Sequence, residues 1–161
     1  MRTRYLLFII IFMSGCGGVD ISSSSSISVV DRSEKIAIYA MSNYTDTPRA
    51  GMRAANIAEG ILLSNGYQVV DRIDSNSRKL TLDEKLSDAS QRGIRYIFVG
   101  GVSEWRYKTG IDGEPAISLQ FKIIDTSTKA VKWSAVASDS SWGNDSIGTV
   151  AQELIASMIK K

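Results

Sequence analysis

The chain has 161 residues, 43% of them hydrophobic and 22% charged, with a formal net charge of +2 and no histidine. This length suits one domain with a tail, and the hydrophobic content is enough for a core, which argues against global disorder. With no histidine and a single cysteine, the chain cannot build a Ser-His-Asp triad or a Cys/His metal site. No phosphate-binding glycine loop occurs either, because Gly100-Gly101 lacks the required spacing.

The N-terminal segment has the pattern of a bacterial lipoprotein signal peptide. Basic residues precede an apolar run at 6–13, which is too short to span a bilayer and ends in small residues just before Cys16. We predict a signal peptide over 1–15 and acylation of Cys16, palmitate included, which would anchor the mature protein firmly. Gly17 after the cysteine favours the outer membrane. The alternative is a free thiol beside an ordinary signal peptide.

Removal of the signal peptide changes the net charge of the protein. Arg2 and Arg4 are lost and no acidic residue is lost, so the 19 basic residues fall to 17, equal to the 17 acidic ones. A neutral mature chain gives no electrostatic support to nucleic-acid binding, and we predict no nucleic-acid partner. Residues 16–33 hold the lipidated cysteine and an unbroken serine run, which predicts a flexible tether.

The hydrophobic patterns predict one α/β domain over residues 34–161. In chain order, the first predicted elements are a strand at 35–41, a helix capped by Thr47 and ending near 65–66, a strand at 66–71 and a helix opened by a capping box at 81–84. A strand at 95–102 follows, bends at Gly100-Gly101 and continues over 104–108. Strands near 117–123 and 130–138 come next, and the last element is an amphipathic helix over 147–159 capped by Asn144 or Asp145. The order βαβαβββα describes a mixed sheet with helices packed on it, an α/β sandwich.

The long hairpin over 93–125 carries the strongest functional candidates. Asp112 and Glu114 in its turn are the obvious carboxylate pair for glycosidase chemistry, but an exposed turn does not separate the acidities of two carboxylates. Before the turn, Trp105, Arg106 and Tyr107 lie outside the apolar pattern. Aromatic residues and arginine are enriched in interface cores, so these three predict a subunit interface or sugar stacking, with a core position for Trp105 left open.

Trp142 lies in a polar connection before the last helix and has no apolar stripe to join. It either packs under that helix or enters the headgroup region of a membrane, where tryptophan is favoured. For a lipid-tethered domain we expect membrane contact.

Several stretches resemble the PelC family, the outer-membrane lipoproteins of the Pel exopolysaccharide export machinery. They are Asn-Tyr-Thr-Asp-Thr-Pro-Arg-Ala-Gly at 43–51, Gly-Ile-Arg-Tyr at 93–96, Glu-Trp-Arg-Tyr-Lys at 104–108, Gly-Ile-Asp-Gly-Glu-Pro-Ala at 110–116 and Lys-Trp-Ser-Ala at 132–135. The resemblance covers nearly all of the chain from residue 35 onward. The Asn-x-Thr opening of the first stretch is also found in CsgG-like and LpoB-like lipoproteins.

The resemblance implies a homo-oligomeric ring of about a dozen copies, a dodecamer, under the outer membrane beside a PelB-like porin with a periplasmic scaffold. In the family, the ring presents an acidic funnel to a partly deacetylated, cationic galactosamine polymer of the biofilm. Asp112 and Glu114 would then belong to the funnel, Trp142 would contact the inner leaflet, and Cys16 would carry the lipid. Residues 105–107 are our candidates for part of the subunit interface.

These observations predict a non-catalytic component of polysaccharide export that uses no cofactor and guides the polymer to the porin. The alternative is an outer-membrane lipoprotein that binds and activates a periplasmic cell-wall synthase as a monomer. A glycan hydrolase is the third and weakest possibility.

Overall fold

We describe a computed structural model of the chain over residues 19–73, 80–109, 113–141 and 145–160, with backbone only at 71–73. Its strands are β1 Asp20–Ser23, β2 Lys35–Tyr39, β3 Ser42–Asn43, β4 Gln68–Ile73, β5 Tyr96–Tyr107, β6 Pro115–Asp125 and β7 Val131–Ser140. Its α-helices are α1 Ala50–Ser64, α2 Leu82–Gln91 and α3 Ile147–Lys160. A short 3₁₀ helix spans Ile27–Val29.

The strands form one mixed sheet in the order β1-β7-β6-β5-β2-β4, with β3 also pairing with β5. β2 is parallel to β4 and β5, whereas β6 and β7 continue the sheet as an antiparallel meander to β1. The predicted fold class, a mixed sheet with helices packed on it, is confirmed. All five predicted strands and all three predicted helices are present, and β1 and β3 are additions.

The two faces of the sheet are covered unequally. α1 and α3 pack on one face, where Trp133, Phe98 and Phe121 form an aromatic centre with ring centroids 5.0 and 6.2 Å from Phe98. α2 packs on the other face against the strands near Tyr39 and Ile97. Of the described helices, none covers the rest of this second face. We call that area the open face, and its members on β6 and β7 are Ser118, Gln120, Lys122, Ser134 and Val136.

Part of the serine-rich segment has defined structure, which differs from the flexible tether expected there. β1 pairs antiparallel with β7, placing Asp20 opposite Ser138. Ile27 and Val30 are 4% and 1% exposed and belong to the core under α1 and α3. Without β1, β7 would be an edge strand with unpaired backbone N–H and C=O groups. A serine-rich strand can still pair with that edge, because the hydrogen bonds between strands are made by backbone groups. Composition therefore underestimates the order of this segment.

The first helix starts differently from the prediction. α1 begins at Ala50 after Arg49, whose φ is 60°, and no side chain caps it. Thr47, the predicted cap, donates its hydroxyl to the carbonyl oxygen of Trp105. The threonine therefore ties the segment before α1 to β5, because a tertiary acceptor lies within its reach.

The other two helix starts follow local sequence more closely. The capping box of α2 is confirmed, with the backbone N–H of Thr81 donating to Glu84 Oε2 at 2.8 Å. For α3, Ser146 supplies the cap, since its Oγ accepts from the backbone N–H of Thr149 at 3.1 Å. Of the two caps predicted there, Asp145 instead accepts from the hydroxyl of Ser141, and Asn144 lies outside the described residues.

β5 is one continuous strand, and its irregularity lies beyond the predicted bend. The register shifts between Val102 and Glu104, so that Ser103 and Glu104 together face Ser118 in a β-bulge. Gly100, where the bend was predicted, allows close packing instead: a Cβ there would lie 2.6 Å from the Phe121 ring.

Candidate functional site at the hairpin end of the sheet

Glu114, one of the two predicted funnel residues, lies at one end of the sheet, which we call the hairpin end. Here Tyr107 at the end of β5 pairs with Pro115 at the start of β6. The backbone N–H of Lys108 donates to the carbonyl oxygen of Glu114 at 2.6 Å and holds the two sides of the turn together. Asp112 lies outside the described residues, but residues on both sides of it are at this end.

The charges that frame the turn are partly compensated. Lys108 Nζ lies 3.5 Å from Glu114 Oε2, and the two side chains are 42% and 22% exposed. Asp112 is the other charged residue of the segment 108–114, so the segment carries one cation and two carboxylates. Since Lys108 offsets Glu114, the net negative charge of the turn depends on Asp112.

The three residues predicted for the subunit interface face three different environments. Trp105 is 2% exposed and lies in the core under α1 and α3, which is the core position left open by the sequence. Arg106 is exposed on the opposite face of β5 and pairs with Glu104 at 2.9 Å. Tyr107 is half-exposed, and its hydroxyl accepts from the backbone N–H of Ile147 at 3.0 Å. Only Arg106 and Tyr107 therefore present side chains to the surface.

The connection that contains Trp142 begins and ends at the hairpin end. At its start, the backbone N–H of Ser141 donates to the carbonyl oxygen of Pro115 at 3.3 Å. At its end, Ile147 is bonded to Tyr107 as described above. Trp142 itself lies outside the described residues, but both ends of its connection are attached beside the turn of the hairpin.

The start of β1, near the first described residue, also lies at the hairpin end. Asp20, the first residue of β1, lies opposite Ser138, close to the end of β7 at Ser140. Cys16 lies outside the described residues and precedes Asp20 by four positions, a distance of at most roughly 14 Å for extended chain. Three predicted sites, far apart in sequence, are thus attached to one end of the sheet. Sequence patterns carry no signal for this, because strand pairing produces it.

No group of three or more acidic, histidine or cysteine side chains within the described ranges could hold a metal ion. None of the helices in this part of the chain is long and apolar enough to cross a membrane. A buried carboxylate, Asp125, does occur, but it lies at the opposite end of β6, where Arg95 and the following turn bind it.

No protein-family model and no curated protein matches the sequence. Solved structures do match it. A PelC dodecamer from Paraburkholderia phytofirmans is 34% identical, with a TM-score of 0.79, over 89% of this chain and 96% of that one. A second PelC dodecamer from the same organism, a Leu-to-Met variant, matches at 34% identity and a TM-score of 0.77 over the same shares of the two chains.

A more distant structure shares the fold alone. Lipoprotein GNA1162 from Neisseria meningitidis is 17% identical, with a TM-score of 0.56, over 78% of this chain and 95% of that chain. The match to the two PelC structures, by contrast, combines substantial identity with nearly complete coverage of both chains. The chain belongs to the PelC family.

Proposed function

We propose that this protein is a non-catalytic ring component of an outer-membrane apparatus that exports the Pel exopolysaccharide. It guides a cationic polymer to a PelB-like porin through an acidic funnel. The observation that carries the proposal is 34% identity over almost the whole chain to PelC proteins that form dodecamers. The geometry of the hairpin end supports it in three further respects.

The first respect is charge. A neutral mature chain can present an acidic funnel only if negative charge is concentrated in one place. Lys108 offsets Glu114, so the other carboxylate of the segment 108–114, that of Asp112, would supply one net negative charge per copy. Repeated around a ring, such a charge makes a focused negative field without a strong single site. Many weak contacts would hold a polycation near the pore and still let it move.

The second respect is attachment to the membrane. A lipid on Cys16 would hold β1 close to the bilayer, because only three residues separate the cysteine from Asp20. The hairpin end would then face the inner leaflet of the outer membrane, and Trp142 would be placed to enter its headgroup region. The porin would meet this same end of the ring.

The third respect is assembly. A closed ring needs a heterologous interface, in which two different surfaces of the chain meet. Arg106 and Tyr107 are exposed next to the hairpin turn and are our candidates for one of these surfaces. Trp105 would support them from the core.

Polymer secretion by cells that depend on this protein tests the funnel. Asp112→Lys, which reverses the charge that we assign to the funnel, is expected to abolish secretion at normal protein level. The matched control is the double variant Lys108→Gln/Glu114→Gln, which removes the compensated pair and keeps the net charge of the turn, so secretion is expected to persist. Normal secretion by Asp112→Lys would contradict the funnel.

The mass of the full-length lipidated protein in detergent tests the ring. We expect an oligomer of about the size of the related dodecamers. A monomer that co-purifies with a cell-wall synthase, and not with the porin, would instead support the alternative of a synthase activator.

A further inference from the structure

Tyr44 is an exposed aromatic side chain held on a rigid part of the open face. It directly follows β3, and its backbone N–H donates to the carbonyl oxygen of Val102 at 2.9 Å. The side chain is nevertheless 66% exposed, more than any other large hydrophobic side chain in the described residues. The sheet therefore fixes the backbone of Tyr44 while most of its ring faces solvent.

A glycine makes room for this ring. A Cβ added to Gly101 would lie 2.9 Å from Cε2 of Tyr44 and 3.3 Å from Nε2 of Gln120, so an edge of the ring lies over the bare backbone of β5. Any larger residue at 101 would push the ring away from the sheet. Gly101, Tyr44 and Gln120 thus form a small platform on the open face.

The platform borders a groove of about 420 Å³, which runs along β5 toward the hairpin turn. We call it the Tyr44 groove. Its walls are Tyr44, Thr45, Asp46, Thr47, Ser103, Glu104, Trp105, Arg106 and Ser118. Hydroxyl groups and charged groups dominate this lining, and it contains no aliphatic side chain. The volume is at the lower end of the range for small-molecule sites, roughly 300 to 1,000 Å³.

The polar groups of the groove leave one carboxylate without a partner. Arg106 neutralises Glu104 at 2.9 Å. Asp46 is exposed and accepts no hydrogen bond and forms no ion pair with any other residue that the structure describes. The groove therefore carries a net negative charge beside an aromatic ring. This combination suits a ligand that has both an apolar face and a cationic group.

We propose that the Tyr44 groove is a subsite for one amino-sugar unit of a cationic polysaccharide. The C–H face of the pyranose packs on Tyr44, the free ammonium group lies near the ring and Asp46, and the hydroxyls of Ser103 and Ser118 bond with the sugar hydroxyls. The inference rests on the proposed function for its ligand class. It adds a contact on the side of the hairpin, away from the turn that contains Asp112.

A second groove on the other side of Tyr44 has the opposite charge. It has a volume of about 390 Å³, lies between α2 and the sheet, and is lined by aliphatic side chains, among them Leu82, Leu86 and Val131, and by Lys85, Lys122 and Lys129. Three lysines disfavour a cationic ligand there, whereas the Tyr44 groove places hydroxyl groups and a net negative charge beside the exposed ring of Tyr44. Of these two grooves, the Tyr44 groove therefore suits an amino sugar better.

Calorimetric titration of the full-length lipidated protein in detergent tests the subsite. The probes are a galactosamine oligosaccharide with free amines and its fully N-acetylated counterpart. We expect the free-amine oligosaccharide to bind more tightly. Tyr44→Ala is expected to weaken its binding roughly threefold to thirtyfold, the range of a cation–π contact. Tyr44→Phe is expected to stay within about twofold of the wild type, because the ring is kept.

Matched controls separate the groove from general effects of charge and hydrophobicity. Asp46→Asn is expected to weaken binding of the free-amine probe and to reduce its dependence on salt, whereas Glu153→Gln, which removes an exposed carboxylate on α3, is expected to do neither. Leu63→Ala, which removes an exposed apolar side chain on α1, is the control for Tyr44→Ala.

The outcomes distinguish this inference from the proposed function. If the wild type binds neither probe, both proposals fail. If the wild type binds the free-amine probe and Tyr44→Ala binds it equally well, the subsite is wrong and the funnel stands. If Tyr44→Ala changes the mass of the assembly, the groove is a contact between subunits and the subsite is overturned. Selective loss of binding by an intact assembly supports it.

Discussion

Two turns flank β6, and each contains an aspartate. In the turn between β6 and β7, Asp125 is 0% exposed and accepts hydrogen bonds from Arg95 at 2.7 Å, from the Ser127 hydroxyl at 2.7 Å and from the Thr128 backbone at 3.1 Å. In the turn between β5 and β6, the described carboxylate, Glu114, is 22% exposed and has one lysine at 3.5 Å. The buried carboxylate is thus bound by several donors, whereas the described carboxylate of the other turn has one lysine beside it.

The difference shows how nearby hydrogen-bond donors determine whether a carboxylate has a structural role. Burial by itself would raise the pKa of Asp125, but the hydrogen bonds from Ser127 and Thr128, together with the charge of Arg95, lower it to about 2. A carboxylate satisfied in this way has little capacity left for a partner. No such run of serine and threonine follows Asp112 in the sequence, and under the proposed function its charge would attract the polycation.

The largest effect on stability is expected from removing the buried carboxylate. Asp125→Ala leaves Arg95 and three turn donors without their acceptor, so we expect the free energy of unfolding to fall by about 3 kcal/mol. Denaturant titration measures this change. Asp20→Ala, which removes an exposed carboxylate, is the control and should change the value by less than about 0.5 kcal/mol. Equal effects of the two variants would contradict a structural role for Asp125.

Acid should reproduce part of that loss in the unaltered protein. Because the pKa of Asp125 is lowered by folding, its stabilisation is complete above the unfolded value of about 3.9 and is lost as the pH falls through about 2. Stability measured between pH 5 and pH 2 should therefore decline more steeply in the wild type than in Asp125→Asn. Parallel curves would show that other carboxylates dominate the acid response.

A smaller effect is expected from one of the donors. Ser127→Ala removes the hydroxyl that donates to Asp125 at 2.7 Å and leaves the backbone bonds of the turn in place. The expected loss is about 1 kcal/mol, the typical value for one hydrogen bond, somewhat more if the charged acceptor strengthens it. Thermal unfolding measures it. A loss as large as that of Asp125→Ala would mean that the serine, and not the carboxylate, organises the turn.

The smallest effect on stability is expected in the other turn. Asp112→Asn should change the free energy of unfolding by less than about 0.5 kcal/mol, since the sequence predicts a solvated turn and substitutions in such turns have small effects. It should nevertheless lower polymer secretion, because it removes the charge that we propose for the funnel. Loss of stability comparable to that of Asp125→Ala would mean that Asp112 serves its turn as Asp125 does, and the comparison between the two turns would no longer hold.

Helices and central strands of this protein could be predicted because their signals are local. The apolar stripe of α3 and the capping box at Thr81 and Glu84 depend on residues within a few positions of each other. The start of α1 could not be predicted in the same way, since Thr47 bonds to Trp105, 58 positions away. Likewise the serine-rich β1 is ordered by pairing with β7, over 110 positions.

The candidate site also has features that the sequence predicts and features that only the tertiary structure determines. Sequence alone determined the residue types at the site: the lipoprotein cysteine, the acidic turn, the aromatic cluster at 105–107 and the absence of histidine chemistry. Only the tertiary structure decided that Trp105 is core while Arg106 and Tyr107 are surface, because a β-strand sends neighbouring side chains to opposite faces. It also brought β1, the hairpin turn and the connection around Trp142 to one end of the sheet, since strand register depends on residues that are distant in the chain.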